Sequence, residues 1–444
     1  MKDSKSKFLY GALVLTITSV IAKGIGAFFR VPLINMIGSN GLGIFQLIFP
    51  IYSFFLIFIT GGISTGLCKL IIIERQDGNA YNEKKLLKSC LLMMLCFSFI
   101  LSLLFLILSF PLSIFQGNKQ FYICYFALIP ALIFSSLICA FRGYFQGHEN
   151  MLPSGISQII EQGVKLCISL FLAKILIKKG VIFAVFGVFL GISVSELSAF
   201  VYLAVKYFIE KSKSKKEVIE QKNHKEYSYK ECFVKIIKMS FPIMLNGAIL
   251  PLVCAIESMI CIFLLGKANI GSTTATSLFG LEDGIVSSLI NLPTVFAVAI
   301  STALIPSLSS DYNKNDILSC ERKCKSALKL TWLISLPCGI AFLFFSKEII
   351  LFLYQNGLNT TNFDELKVAV DLLKISSLNI VYISLLSITT SILQAINKSY
   401  VPVKNLFFSS CIKLGLTLLL VSSQKFNVYG IVISDIVGYS LALI

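Results

Sequence analysis

Apolar runs long enough to cross a bilayer recur along all 444 residues, and they constrain the fold more than any other feature of the chain. A helix needs roughly 20 consecutive apolar residues to span the hydrocarbon, whereas a barrel strand shows alternating segments of about ten. The runs here are continuous, so each must satisfy its backbone groups within itself, as a helix does. Apolar runs read against loop punctuation predict about twelve spans, near residues 9–37, 42–73, 86–110, 121–142, 153–178, 181–208, 233–265, 274–308, 325–346, 370–396, 401–422 and 428–444. The predicted fold class is an all-α polytopic membrane protein. Its 56% hydrophobic and 14% charged residues, with a mean hydropathy of +0.83, lie far from the balance of a soluble domain.

The net charge of +16 reports topology and not nucleic acid. About 25 Lys and Arg fall in alternate loops against roughly 10 in the others, the bias of cytoplasmic loops in a multispanning protein. The richer set holds the amino terminus and residues 75–88, 206–238 and 314–329, which predicts a cytoplasmic amino terminus in the cell membrane. The basic start and first apolar run resemble a signal peptide, but the run is too long and lacks a small-residue cleavage site, so an uncleaved span is expected.

One strongly hydrophilic stretch, EKSKSKKEVIEQKNHKEYSYK at 210–230, divides the spans into two groups of about six. The expected organisation is an amino-terminal lobe over 1–208, a basic cytoplasmic linker over 209–232 and a carboxy-terminal lobe over 233–444. Paired helical bundles of this kind match parallel repeats that hold substrate between them.

Lys23 and Arg30 lie seven residues apart in the first apolar run, close to two helical turns, so both project from one face. A charge at bilayer depth is costly unless it faces a bundle interior or a wet cavity, so this face is the expected site for an anionic ligand. The competing reading for Lys23 is a structural partner for a buried acid. For Arg30 it is snorkelling to the outer interface. Gly24 and Gly26 allow close approach beside the lysine.

In SQIIEQGVKL, Glu161 and Lys165 are four apart with the acid first, the favoured order for a neutralising pair. Alternatively, ligand binding breaks a pair here and couples charge to conformational change, with Lys165 a third basic contact. Glu196, Glu257, Glu282, Asp283 and Asp435 also sit in or beside apolar segments. Glu257, Glu196 and Asp283 join Glu161 as candidates for holding a coupling cation, H+ or Na+, or for structural charge pairs. Glu257 stands out because no basic residue lies within a turn or two of it. Pro50, Pro251 and Pro293 predict bent helices suited to a rocking transporter.

Catalytic signatures are scarce. No phosphate-binding Gly-rich loop or HExxH is present, so no enzyme, cofactor or metal is expected. His148 reads as a solvated loop residue. Cys320 and Cys324 lack further ligands for zinc, and the other cysteines lie mostly in apolar runs as small hydrophobes.

The segments KGIGAFFRVPLINMIGSNGLGIFQLIFPIY (23–52), FRGYFQGHENMLPSGISQIIEQGVKL (141–166), LPTVFAVAISTALIPSLSS (292–310) and SILQAINKSYVPVKNLFFSSCIKLGLTLLL (391–420) closely resemble polysaccharide biosynthesis proteins of the stage V sporulation protein B type. These belong to the multidrug/oligosaccharidyl-lipid/polysaccharide (MOP) exporter superfamily, near the MurJ-like lipid II flippases. The resemblance implies two six-helix lobes around a central cavity, alternating access, and flipping of an undecaprenyl-diphosphate-linked cell-wall precursor across the cytoplasmic membrane. Related flippases line the cavity with basic residues from the first helices, the helix that carries Lys23 and Arg30 here. Longer members carry two further helices, which this chain is expected to lack. The partners expected are a polyprenyl-diphosphate-linked glycan and the bilayer. Competing functions are a cation-coupled multidrug antiporter of the same superfamily, a membrane-embedded glycan enzyme, and a scaffold for cell-wall or spore assembly.

Overall fold

The computed structural model describes residues 2–214, 227–358, 364–396 and 398–444, and among these there is no strand. The helices are α1 (Lys2–Thr60), α2 (Ile63–Gln76), α3 (Ala80–Phe115), α4 (Tyr122–Gly147), α5 (Leu152–Leu176), α6 (Val181–Ser214), α7 (Tyr229–Lys267), α8 (Ser272–Phe279), α9 (Ser287–Asn313), α10 (Ile317–Phe344), α11 (Ser346–Tyr354), α12 (Glu365–Ala395), α13 (Tyr400–Val421) and α14 (Tyr429–Leu443). A π-helical segment, Gly280–Val286, joins α8 to α9. Among the described residues nine helices are long and apolar enough to cross a membrane, and α14 is a shorter apolar one. The chain is a multi-pass membrane protein.

At about 1.5 Å per residue, the 59 residues of α1 are far too long for one crossing, and the helix is broken at Gly38, where φ is 71° and ψ 179°. A side chain at that φ would be strained, so glycine marks the break. Pro50 lies beyond it in continuous helix, and α7 and α9 likewise continue through Pro251 and Pro293. The backbone break within α1 thus falls at the glycine and not at the proline, because a left-handed φ ends a helix whereas proline removes one hydrogen bond from it. Gly62, with φ 74°, then separates α1 from α2.

Contacts divide the chain into two compact units. Unit 1 comprises residues up to Phe29, Ile48–Ile114 and Asn118–Ala255, and unit 2 comprises Arg30–Leu47, Phe115–Gly117 and Ile256–Ile444. The boundary therefore does not coincide with the 209–232 stretch: the first half of α7 packs with unit 1, and the middle of α1 with unit 2. Hydropathy reveals where polar residues accumulate but not which helix an apolar face packs against. Of the expected linker, residues 215–226 lie outside the described residues. On either side of them α6 reaches Ser214 and the Tyr227 amide donates to Asn82 Oδ1 at 3.1 Å.

In unit 1, α5 and α6 pack closely through small residues. Ser169 Oγ donates to the Val188 carbonyl at 3.0 Å, and the Ser169 backbone fills the space a side chain at Gly191 would take. Phe105 anchors a neighbouring core, 5.2 Å from the Phe55 ring and 5.3 Å from Tyr125. On α3, Phe99, Ile100 and Ile107 point outward, as a lipid-facing surface requires. In unit 2, α9, α10 and α12 enclose a core around Leu308 and Ile388.

Candidate functional site

The face of α1 at Ser19, Ala22, Lys23 and Gly26 follows the i, i+3, i+4, i+7 pattern, and α5 turns Gln158, Glu161 and Gln162 toward it by the same rule. With Arg142 of α4 they line a cavity of about 350 Å3 within unit 1. Ser19 Oγ donates to Gln158 Oε1 at 2.9 Å, tying the two helices together at the cavity wall. Gly26 keeps the wall open: a Cβ there would come within 3.1 Å of Gln162 Oε1. These polar side chains also explain why the 25-residue α5 is not among the nine helices, of the described residues, that are long and apolar enough to cross a membrane.

Lys23 is exposed at the cavity and, among the described residues, makes no ion pair or hydrogen bond. The alternative of a structural partner for a buried acid is not what the geometry shows. Glu161 instead pairs with Arg142, its Oε2 accepting from Nη2 at 2.9 Å, while its Oε1 accepts from Gln162 Nε2 at 3.0 Å. Arg142 Nε donates to the buried Ser157 Oγ at 2.9 Å. Lys165 does not line the cavity; its ammonium lies 5.4 Å from the Phe29 ring centroid and 5.7 Å from that of Phe49, at cation–π distance. Glu196 of α6 is buried behind the pair, in electrostatic reach of Glu161, Arg142 and Lys165. Beside it lie the buried hydroxyls of Tyr52 and Ser135, with Ser135 in reach of both Tyr52 and Glu196.

Arg30 is not at this cavity. It belongs to unit 2, where Nη1 donates to Ser288 Oγ and the guanidinium lies close to Asp283 and Tyr354. Asp283 sits in the π-helical segment, and its carbonyl accepts from Gln46 Nε2 at 2.8 Å. Glu257 has a basic partner after all: Lys413 Nζ is 2.8 Å from Glu257 Oε2 and 2.6 Å from Asp435 Oδ1, a buried acid–base–acid triad joining α7, α13 and α14. The partner lies 156 residues away, so local sequence cannot reveal it.

His148 is likewise not a free loop side chain. It caps α4, with Nε2 3.0 Å from Glu83 Oε2, Nδ1 3.0 Å from the Tyr144 carbonyl oxygen and its ring against Tyr144. Arg142 and Lys413 were the residues missed from sequence. Both carry the signal that singles out Lys23, a basic side chain in an apolar run, Arg142 at the end of the run 121–142 and Lys413 in the middle of 401–422.

Comparison with known proteins places these features in a family. The profile described as Polysaccharide biosynthesis protein matches residues 8–310, and the MatE profile matches 242–419. Stage V sporulation protein B of Bacillus subtilis (strain 168) is 24% identical, over 99% of this chain and 82% of its own. Lipid II flippase MurJ of the same organism is 26% identical, over 99% of this chain and 81% of its own. The inward-facing structure of a multidrug resistance MATE family transporter of the MOP superfamily superposes with a TM-score of 0.72 at 16% identity, covering 97% of this chain and 96% of that one. A MOP superfamily transporter from Pyrococcus furiosus Vc1 (DSM3638), reported with a binding pocket of reverse polarity, gives 0.62 at 17% identity, over 98% and 94%. The structural matches show the fold, and the profile match spans more than half of the sequence: the chain belongs to the polysaccharide biosynthesis protein family, within the MOP superfamily of membrane transporters.

Proposed function

We propose that this transporter flips a polyprenyl-diphosphate-linked glycan, lipid II or a related polysaccharide intermediate, across the cytoplasmic membrane by alternating access, with its amino terminus in the cytoplasm. The observation that carries the reading is the polar cavity of unit 1, where Lys23, without an ion pair among the described residues, stands with Arg142, which donates from Nε to Ser157 and from Nη2 to Glu161. A diphosphate with roughly two negative charges suits two such cations, and arginine is the better fork for phosphate oxygens. Its arrival would offset the repulsion between the cations and the cost of holding them away from bulk water, while the polyprenyl tail stays in lipid. The name of the related lipid II flippase supports the same substrate class.

The multidrug relatives of the fold favour a second reading, a cation-coupled antiporter. An organic cation needs an available carboxylate, and at this cavity Glu161 is engaged by Arg142. Transport coupling, in our reading, uses the acids of unit 2, where Glu257, Glu282, Asp283 and Asp435 outnumber Arg30 and Lys413, so that a proton or sodium ion would relieve the excess. The membrane potential contributes about 2.3 kcal/mol per elementary charge per 100 mV to any such step.

Leaflet-resolved translocation of lipid II in proteoliposomes, with and without an ion gradient, tests the proposal. Wild-type protein is expected to move lipid II, and Lys23→Ala and Arg142→Ala are expected to lose that activity. Protein that is inert toward lipid II but moves a cationic dye would replace the flippase by the antiporter, and a chemically altered glycan would replace it by an enzyme.

A further inference from the structure

We infer that Glu161 is a built-in counter-anion that occupies Arg142 in the empty cavity and competes with the anionic ligand for it, setting how readily the ligand is released. The inference rests on the flippase reading above and deepens it. The two ends of the Arg142 guanidinium are held differently. Nε is fixed by Ser157 Oγ, a fully buried hydroxyl that itself donates to the Ser154 carbonyl at 2.7 Å, so this contact has no reason to open. Nη2 meets Glu161 Oε2 at 2.9 Å in a pair whose side chains are 20% and 18% exposed at the cavity wall, where a ligand can reach them.

Glu161 also has somewhere to stay when it lets go. Its other oxygen accepts from Gln162 Nε2 at 3.0 Å, and Gln162 lines the same cavity. A phosphate oxygen can therefore replace the carboxylate at Nη2 while Ser157 keeps the fork aimed and Gln162 keeps the displaced acid solvated. The carboxylate then stands beside a bound anion and repels it, and like charge at contact is a device for limiting affinity. When the ligand leaves, Glu161 recaptures Arg142 and the cavity does not remain with two uncompensated cations.

A merely structural ion pair and a competing one predict opposite signs. Loss of a structural partner weakens ligand binding or leaves it alone, whereas loss of a competitor tightens it. Binding of undecaprenyl diphosphate to the purified full-length protein is the measurement, with flipping turnover in proteoliposomes as the second readout. Glu161→Gln is expected to bind at least about fivefold more tightly, the factor that roughly 1 kcal/mol produces, and to turn over more slowly because release is impeded. The shorter acid of Glu161→Asp, drawn back by one methylene, is expected to fall between the two, and it keeps the test intact should Glu161→Gln fold poorly. In an Arg142→Gln background the gain should vanish, since the two residues act on each other. If wild type binds in a Lys23-dependent way but neither Glu161 variant binds more tightly, the competition is overturned and the flippase reading stands. If wild type shows no saturable binding, that reading falls and this inference with it.

Discussion

The two charge clusters of the molecule use the same residue types to opposite ends. In unit 1, Arg142 and Glu161 are 20% and 18% exposed on the wall of a cavity that also holds Lys23, which has no ion pair among the described residues, so positive charge is in excess where a ligand can enter. In unit 2, Lys413 is held by Glu257 and Asp435 with all three side chains at 12–13% exposure, and negative charge is in excess. The difference lies in what completes each cluster. The unit 2 ammonium is held by carboxylates from two other helices and works as a rivet, whereas in unit 1 Glu161 balances Arg142 and leaves Lys23 for charge from outside. A buried charge with its partners stays in place because removing one partner strands the others.

That contrast can be broken by substitution, and the largest effect is expected in unit 2. Lys413→Met should destabilise the protein by about 3–5 kcal/mol, because two buried carboxylates lose their counter-ion. Thermal unfolding in detergent measures it, and adding Glu257→Gln and Asp435→Asn should recover most of the loss. Unchanged unfolding of Lys413→Met would mean that the triad is no rivet. Next comes the packing around the π-helical segment: the Thr276 backbone occupies the place a Cβ on Gly43 would take, so Gly43→Ala should cost at least about 1–3 kcal/mol by overpacking, read in the same unfolding experiment.

Lys23→Ala sharpens the other side of the comparison. With no partner to strand, it should leave unfolding unchanged while weakening undecaprenyl diphosphate binding at least about tenfold, or roughly 1.4 kcal/mol. It should also abolish complementation of a flippase-depleted strain. A lowered melting temperature would show that Lys23 is structural. The smallest effect belongs to the exposed i, i+4 pair Glu321–Lys325 on α10: Lys325→Ala should leave both unfolding and flipping within error, and a measurable shift in either would undo the claim that burial, not pairing, gives these clusters their weight.

Much of this is legible in the amino-acid sequence. Continuous apolar runs forced helices, and a lysine in the middle of the first of them marked a polar chamber, because both follow from the absence of water in hydrocarbon. Arg30 was harder. Its spacing from Lys23 is two helical turns, yet it donates to Ser288 in the other unit, since helical periodicity says which way a side chain leaves the axis and not what stands there. Glu161 was seen to need a base, and the nearest in sequence was Lys165; the ion pair with Arg142 comes from α4, 19 residues away. The bend in α1 falls at Gly38, a residue that looked ordinary among several glycines in the same stretch.

The amino-acid order alone determined that this protein is a multi-spanning helical bundle, that its first helix carries a charge requiring a polar surrounding, and that its basic loops gather in alternate positions. These properties are set by the transfer of each segment from water to lipid, a quantity summed residue by residue. The partners of the buried charges were decided only by the tertiary structure: Arg142 with Glu161 at a cavity, and Lys413 between Glu257 and Asp435. An ion pair depends on a few ångströms of separation between helices distant in the chain, and that distance exists only once the helices have packed.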